Sequence, residues 1–251
     1  MKYVICIHNI GNYEKYINLS NFKKPVDIDA YLFVDEISQK IKLIFEKMKW
    51  NVVILNSLLF NNTEFVKKFR IMSKYCKFQI HKYFCEKNIK YDFLIYHDFN
   101  IKINYNKIKL FHKSHNFSNI FKRWPHTNLI DKNNKYKNNI IFWEIDDMLT
   151  NRQHYVKTSR TNVLEWRDFL ESSNYENNDY YESNIYIISL QDPLISKSFD
   201  IVYDKCNQIQ RDQFILPWSF QQNSVNITVV DQRDFIKHLK YKYVNTRLKR
   251  N

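Results

Sequence analysis

His97, Asp98 and Asn100 stand at the end of an apolar run, Phe93-Leu94-Ile95-Tyr96, and an alternating segment resumes at Ile101-Lys102-Ile103. A carboxylate and an amide two residues apart in extended chain share a face and can converge on one cation. Oxygen ligands of this kind suit Mg²⁺ or Mn²⁺ bridging the phosphates of a nucleotide. His97 stands beside them as a contact to the same ligand. A second reading stays open for Asp98 and Asn100, because both residue types also favour turns through local hydrogen bonds.

The run that positions them has the length and composition of a fully buried strand. In open α/β sheets, ligands bind beyond the carboxyl ends of such strands. Further strand patterns fall at residues 3–8, 30–34, 51–56, 109–113, 184–189 and 226–230. Between them lies helical periodicity. It is clearest over 63–86, where Phe65, Phe69, Met72, Cys76, Ile80 and Tyr83 or Phe84 recur every three or four residues. Helices are also predicted over 117–123, 148–160, 163–171, 194–207, 212–220 and 235–247. The alternation predicts an α/β fold with a central, mostly parallel sheet flanked by helices. Polar segments at 131–139 and 172–181 read as loops, and neither has the composition of a linker. One domain over 1–230 is expected, followed by a basic C-terminal helix or tail over 231–251.

Composition narrows the function. The 251 residues are 44% hydrophobic and 17% aromatic, enough for a core, and no apolar run is long enough to span a membrane. The N-terminus reads as a first strand and not as a signal peptide. Cys6, Cys76, Cys85 and Cys206 show no CxxC spacing and are expected as reduced thiols in a cytoplasmic protein. Gly11 is the single glycine, which argues against a P-loop and a dinucleotide fingerprint. The richness in Lys, Asn, Ile and Tyr reads as an AT-rich coding bias, of a microbe or a large DNA virus. A formal charge of +13 favours anionic partners: a nucleotide diphosphate, nucleic acid or an acidic membrane surface. The basic residues Arg233, Lys237, Lys240, Lys242, Arg247, Lys249 and Arg250 crowd the end, as a peripheral membrane contact or simply a solvated tail.

Four separated segments, in order, match one pattern. They are Lys2-Tyr3-Val4 with Gly11-Asn12-Tyr13; Arg70 through Lys82, with Tyr75-Cys76-Lys77 and His81; Tyr91-Asp92 through Asp98-Phe99-Asn100-Ile101; and Glu182-Ser183-Asn184 followed by Arg211-Asp212-Gln213. In this the chain resembles the glycosyltransferase-like family shared by plant TOD/MUCI proteins, bacterial capsule and lipopolysaccharide loci and giant viruses. The resemblance implies a GT-A-like fold and metal-assisted glycosyl transfer from a nucleotide sugar, with Asp98-Phe99-Asn100 as an Asp-x-Asp-like motif. Phe99 replaces the family's glycine, so the turn must avoid positive φ or strain Phe99. An expected Arg-x-His is missing, and Ser189-Leu190-Gln191 stands in its place.

The resemblance implies roles. Asp98, Asn100 and His115 become metal ligands for Mn²⁺ or Mg²⁺. Arg70 and Lys77, seven residues apart on one helix face, bind the diphosphate or the base together with His97, Asn100 and Arg211. Gln213 contacts a sugar hydroxyl. Asp212 becomes the general base, with Glu182 its competitor; Asp212 as a helix cap is the plainer alternative. Trp124, Trp143 and Trp218 stack on sugar or base, or fill the core. A UDP-sugar is the expected donor, a hexose or deoxyhexose the group moved, and a glycan or glycoprotein the acceptor, in the cytoplasm of a cell or, for a viral protein, in the host cytoplasm or the virion. Two rival classes remain: a basic nucleic-acid-binding protein, without a recognised motif, and a ceramidase-like lipid amidase, without clustered histidines or an activated-serine motif.

Overall fold

The computed structural model describes residues 1–16, 18–56, 60, 65–123, 140–156, 159–176 and 180–244. The strands are Tyr3–Asn9 (β1), Asp29–Val34 (β2), Asn51–Ile54 (β3), Phe93–His97 (β4), Ile101–Lys102 (β5), Asn119–Arg123 (β6), Tyr181–Ser189 (β7), Ile227–Val230 (β8) and Lys242–Tyr243 (β9). Seven of them form one sheet, in the order β3-β2-β1-β4-β7-β6-β8. Only β7 runs antiparallel, to both β4 and β6. The small β5 and β9 pair separately. The helices are Gln39–Lys47 (α1), Phe65–Phe78 (α2), Ile80–Glu86 (α3), Ile108–Ser114 (α4), Ile140–Thr150 (α5), Arg160–Ser172 (α6), Pro193–Ile209 (α7), Asp212–Gln222 (α8) and Gln232–Leu239 (α9). The predicted α/β fold with a mostly parallel central sheet is observed.

Helices cover both faces of the sheet, which is why its central strands are continuously apolar. Val4 and Cys6 face a core built with α2, α3 and α5–α8; Ile5 and Ile7 face a second core built with α1, α4 and α9. Two assignments made on local pattern are corrected. Residues 109–113, predicted as a strand, lie in α4, because Ile108, Phe111 and His112 are buried at helical spacing. Residues 117–123, predicted as a helix, hold β6, which pairs with β7 and β8 from far along the chain. The helix over 63–86 breaks at Gln79, whose side chain bonds the carbonyl of Phe199 and Asp200 on α7. The helix expected over 148–160 is not observed as such: α5 lies earlier and ends at Thr150, and a short 3-10 turn at Gln153–Tyr155 follows, before α6 begins at Arg160. Of the helix expected over 235–247, only the first part is observed: α9 ends at Leu239, closed by Lys240 in the left-handed region, Lys242–Tyr243 form β9, and 245–247 lie outside the described residues. The loop 131–139 lies outside the described residues.

A chain with one glycine must end its helices by other means. Five of the described helices finish in the same two-bond motif. After α1, Trp50 N bonds Phe45 O at 3.0 Å and Lys49 N bonds Glu46 O at 2.9 Å. The same pairs close α3 at Asn88 and Ile89, α4 at Asn116 and Phe117, α6 at Asn174 and Tyr175, and α8 at Ser224 and Val225. The residue that glycine usually fills is Lys49, Asn88, Asn116, Asn174 or Ser224, each at positive φ. An L side chain there costs about 1 kcal/mol. Lys49→Gly and Ser224→Gly are therefore expected to stabilise the protein by roughly 0.5–1 kcal/mol each in urea unfolding. An equal loss of stability would show that these side chains make compensating contacts.

Candidate functional site

Helix α2 sets a basic stripe against the carboxyl end of the central strands. Arg70, Lys74 and Lys77 recur at spacings of four and three along it. Lys77 is buried, and its Nζ lies 3.6 Å from Asp98 Oδ1 and 3.4 Å from Asp212 Oδ2. Lys74 Nζ lies 2.6 Å from the other Asp212 oxygen. Asp212 opens α8, and Ser183 on β7 donates a hydrogen bond to it. Lys77 thus bridges the aspartate after β4 to the aspartate of the Arg211-Asp212-Gln213 motif, 114 residues further along the chain.

The electrostatics follow from burial. Burial alone would raise the Asp212 carboxyl, but Lys74, Lys77 and Ser183 outweigh it and hold the group well below the usual carboxylate range. Burial likewise opposes charge on Lys77, yet Asp212 and Asp98 raise its pKa and keep it an ammonium. Arg211, and not Asp212, occupies the N-cap position of α8, and it makes no capping side-chain bond. Arg211 pairs with the fully buried Glu144, as does Arg152.

Sequence reasoning missed a hydrogen-bonded chain that ends on the same cluster. Tyr96 OH donates to Asp98 Oδ1 at 2.8 Å, His8 Nδ1 lies 3.0 Å from that hydroxyl, and His8 Nε2 lies 2.7 Å from Ser73 Oγ. A carboxylate only accepts, so the bonds run one way: Ser73 donates to His8, His8 to Tyr96, and Tyr96 to Asp98. Burial lowers the His8 pKa to about 4, which keeps it neutral and fits that order. The four-then-three spacing of Arg70, Lys74 and Lys77 was a signal that could have found Lys74. No local pattern marks His8 or Ser73.

Other expected site residues fall elsewhere. His97 is fully buried on the opposite face of the sheet, bonded to Asp98 O at 2.9 Å and Tyr105 OH at 2.8 Å. His115 follows α4, whose His112 packs on Tyr3 and Phe93, the first residues of β1 and β4. It therefore lies at the end of the sheet away from Asp98, with Nδ1 2.8 Å from Phe111 O. The expected convergence of Asp98, His115 and Asp212 holds for the two aspartates and not for His115. Glu182 is paired with the fully buried Lys122 and accepts from Asn184 Nδ2. Arg70 is exposed and bonds Gln210, at a surface groove shared with Ile71, Lys74, Cys206 and Asn207. Gln213 lies next to Asp212, and its Oε1 is buried without a hydrogen-bond partner. Trp218 packs on Trp166 and Phe169, and Trp143 lies against the core; Trp124 lies outside the described residues.

Among the described residues, no group of three or more His, Cys, Asp or Glu side chains is placed to hold a metal ion. The turn after β4 offers a sparser, oxygen-only set. The Asp98 side chain is 35% exposed, with Tyr96 and Lys77 both engaging Oδ1. Asn100 Oδ1 is buried without a hydrogen-bond partner. An unmet buried acceptor costs about 1–3 kcal/mol. This set fits a hard divalent cation that completes its shell with water and nucleotide phosphates.

The chain is similar to the apo form of mouse xyloside xylosyltransferase 1, with 13% identity over 92% of this chain and 86% of that one and a TM-score of 0.52. The chain has a GT-A-like fold. It is also similar to the bifunctional glycosyltransferase WbbM (12% identity, 95% of this chain, 42% of that one, TM-score 0.49). A third is 4-diphosphocytidyl-2C-methyl-D-erythritol synthase from Anaerococcus prevotii (12% identity, 100% and 91%, TM-score 0.45). No family model and no curated protein matches the chain in sequence. At these identities the likeness is one of fold.

Lys77→Met removes a cation shared by both aspartates. It is expected to cost about 3–5 kcal/mol in urea unfolding, the range for breaking a buried pair. Adding Asp212→Asn should recover part of that loss, and a single-variant loss below about 1 kcal/mol would place the ammonium in water.

Burial also lowers the His97 pKa from 6.5 to about 4. The unfolded chain then binds the proton first, so stability is fully present above pH 6.5 and falls as the pH drops toward 4. The loss from His97 is roughly 3 kcal/mol at the bottom of that window. Melting temperature should fall across it, and His97→Gln should flatten the slope; an unchanged slope would assign the acid lability to other groups.

Proposed function

We propose that this chain transfers a glycosyl group from a nucleotide-sugar donor to a hydroxyl of a glycan or protein-linked acceptor. One observation carries the reading: a carboxylate turn at the end of a parallel strand contacts one of two ammoniums that are anchored together on a buried aspartate. The turn suits a cation, and the ammoniums suit a diphosphate. The GT-A-like fold supports the same class, as does the resemblance of the ordered motifs from Lys2 to Gln213 to those of the TOD/MUCI-type family. A UDP-sugar is the first donor to test.

Asp98 and Asn100 would hold the divalent cation, which supplies Lewis-acid stabilisation of the leaving diphosphate when bound. Lys77 and Lys74 add positive charge that is already in place and needs no reorganisation as the bond breaks. Arg70, exposed on the same helix stripe, reaches phosphate from the groove side. Gln213 Oε1 has a buried lone pair for a sugar hydroxyl. Asp212 holds the two lysines in place. A carboxyl kept so far below the usual range is a poor proton acceptor, whereas a general base works best near the operating pH. Glu182, committed to Lys122, is no better placed for that task. His97 and His115 have no part in this assignment.

The test is a thermal-shift panel of UDP-, GDP- and dTDP-sugars, each with Mn²⁺ and with EDTA. A ligand at 100 times its dissociation constant adds about 2.7 kcal/mol, a readable shift. Asp98→Ala should erase the Mn²⁺-dependent part. Equal shifts in Mn²⁺ and EDTA would remove Asp98 from the metal. No shift with any nucleotide sugar would overturn the transferase reading.

A further inference from the structure

We infer that Asn184 supplies a third oxygen, beside Asp98 and Asn100, to the cation that the donor brings; this rests on the transferase reading above. Asn184 lies on β7, directly alongside the acidic turn. The β4–β7 ladder pairs His97 with Ile185, and one step further Asp98 N donates to Asn184 O at 2.8 Å. The residue is 8% exposed. Its orientation is settled by its neighbours: Nδ2 faces Glu182 Oε2 at 2.5 Å and also meets the Tyr243 hydroxyl. A carboxylate only accepts, so the atom facing it must be the nitrogen. Oδ1 is then fixed as an acceptor, and it is buried without a hydrogen-bond partner.

Asn100 Oδ1 is in the same condition, two residues from Asp98. Both asparagines are tied to one segment, β9 and the residue after it. Val244 N donates to Asn100 O at 2.8 Å, Ile101 pairs with Tyr243, and Tyr243 OH meets Asn184 Nδ2. Three separate parts of the chain therefore meet at the turn that carries Asp98, and two buried amide oxygens on it and on the adjoining strand are left unmet. Two acceptors and a single negative charge describe an all-oxygen, weakly charged shell. Such a shell suits Mg²⁺ or Mn²⁺ that still carries water and takes its remaining ligands from phosphate. Lys77 and Tyr96 both engage Oδ1 of Asp98.

Mn²⁺ binding, followed by the free-ion electron paramagnetic resonance signal with UDP present, tests this on the full chain. Asn184→Leu should weaken Mn²⁺ by roughly tenfold or more while UDP binding in EDTA stays unchanged. Asn184→Cys should shift preference from Mn²⁺ toward Cd²⁺ relative to the wild type, because thiolate favours soft ions. A purely structural asparagine cannot produce that reversal. Wild-type Mn²⁺ affinity in a folded Asn184→Leu protein overturns the inference and leaves the transferase reading intact. If the leucine variant does not fold, an Asn184→Cys protein with the wild-type Mn²⁺ to Cd²⁺ ratio overturns it instead. Failure of UDP to bind in either condition brings down both readings.

Discussion

The ammonium of Lys77, on α2, sits where the end of β4 and the start of α8 come together. Its charge is out of water, and an isolated buried ion is costly enough that it would otherwise shed its proton. Asp98 and Asp212 prevent that, and they can do so only because β4 and α8 deliver them to the same side of α2. The dependence is mutual. Asp212 is itself almost fully buried and would be raised by desolvation without Lys74, Lys77 and Ser183. Buried pairs of this kind add little net stability over an apolar packing, but losing one partner is punishing. Such a cluster tolerates few alternatives, and it keeps fixed positive charge at the carboxyl end of the sheet.

The turn that carries Asp98 is held without glycine. Phe99 takes the place expected of a flexible residue, yet it is not at positive φ. Its ring is instead buried against Phe22 and Tyr16 in the second core. The substitution exchanges backbone freedom for an aromatic anchor, and the following residues are pinned by β5 pairing with β9. Asparagine, lysine, glutamine and serine do elsewhere what glycine commonly does; asparagine supplies five of the ten non-glycine residues at positive φ among those described. The asparagine-rich composition, read first as coding bias, thus also meets a structural need.

The histidines show how little residue type alone decides. His97 is adjacent to Asp98 and looked like a ligand, but β4 alternates its side chains across the sheet and sends it into the opposite core. His8, which nothing in its local sequence marks, joins Tyr96 and Asp98 because β1 and β4 are neighbours in the sheet. His115 fails for the same topological reason: α4 returns the chain to the starting end of the strands.

The sequence by itself was enough for the layered α/β architecture and for the strand that ends at Asp98. Both rest on local hydrophobic runs and on helical spacing, which neighbouring residues impose regardless of the rest of the fold. It also singled out Asp98, Lys77 and Asp212 one by one. The segments at 109–113 and 117–123 exchanged identities because short mixed runs satisfy either period, and only pairing with β7 and β8 breaks the tie. Which acids share a cation, which carboxylate is committed to Lys122, and which amide oxygens are left unmet were decided by tertiary structure alone. Those outcomes depend on burial and on contacts between residues far apart in sequence, and no local pattern carries that information.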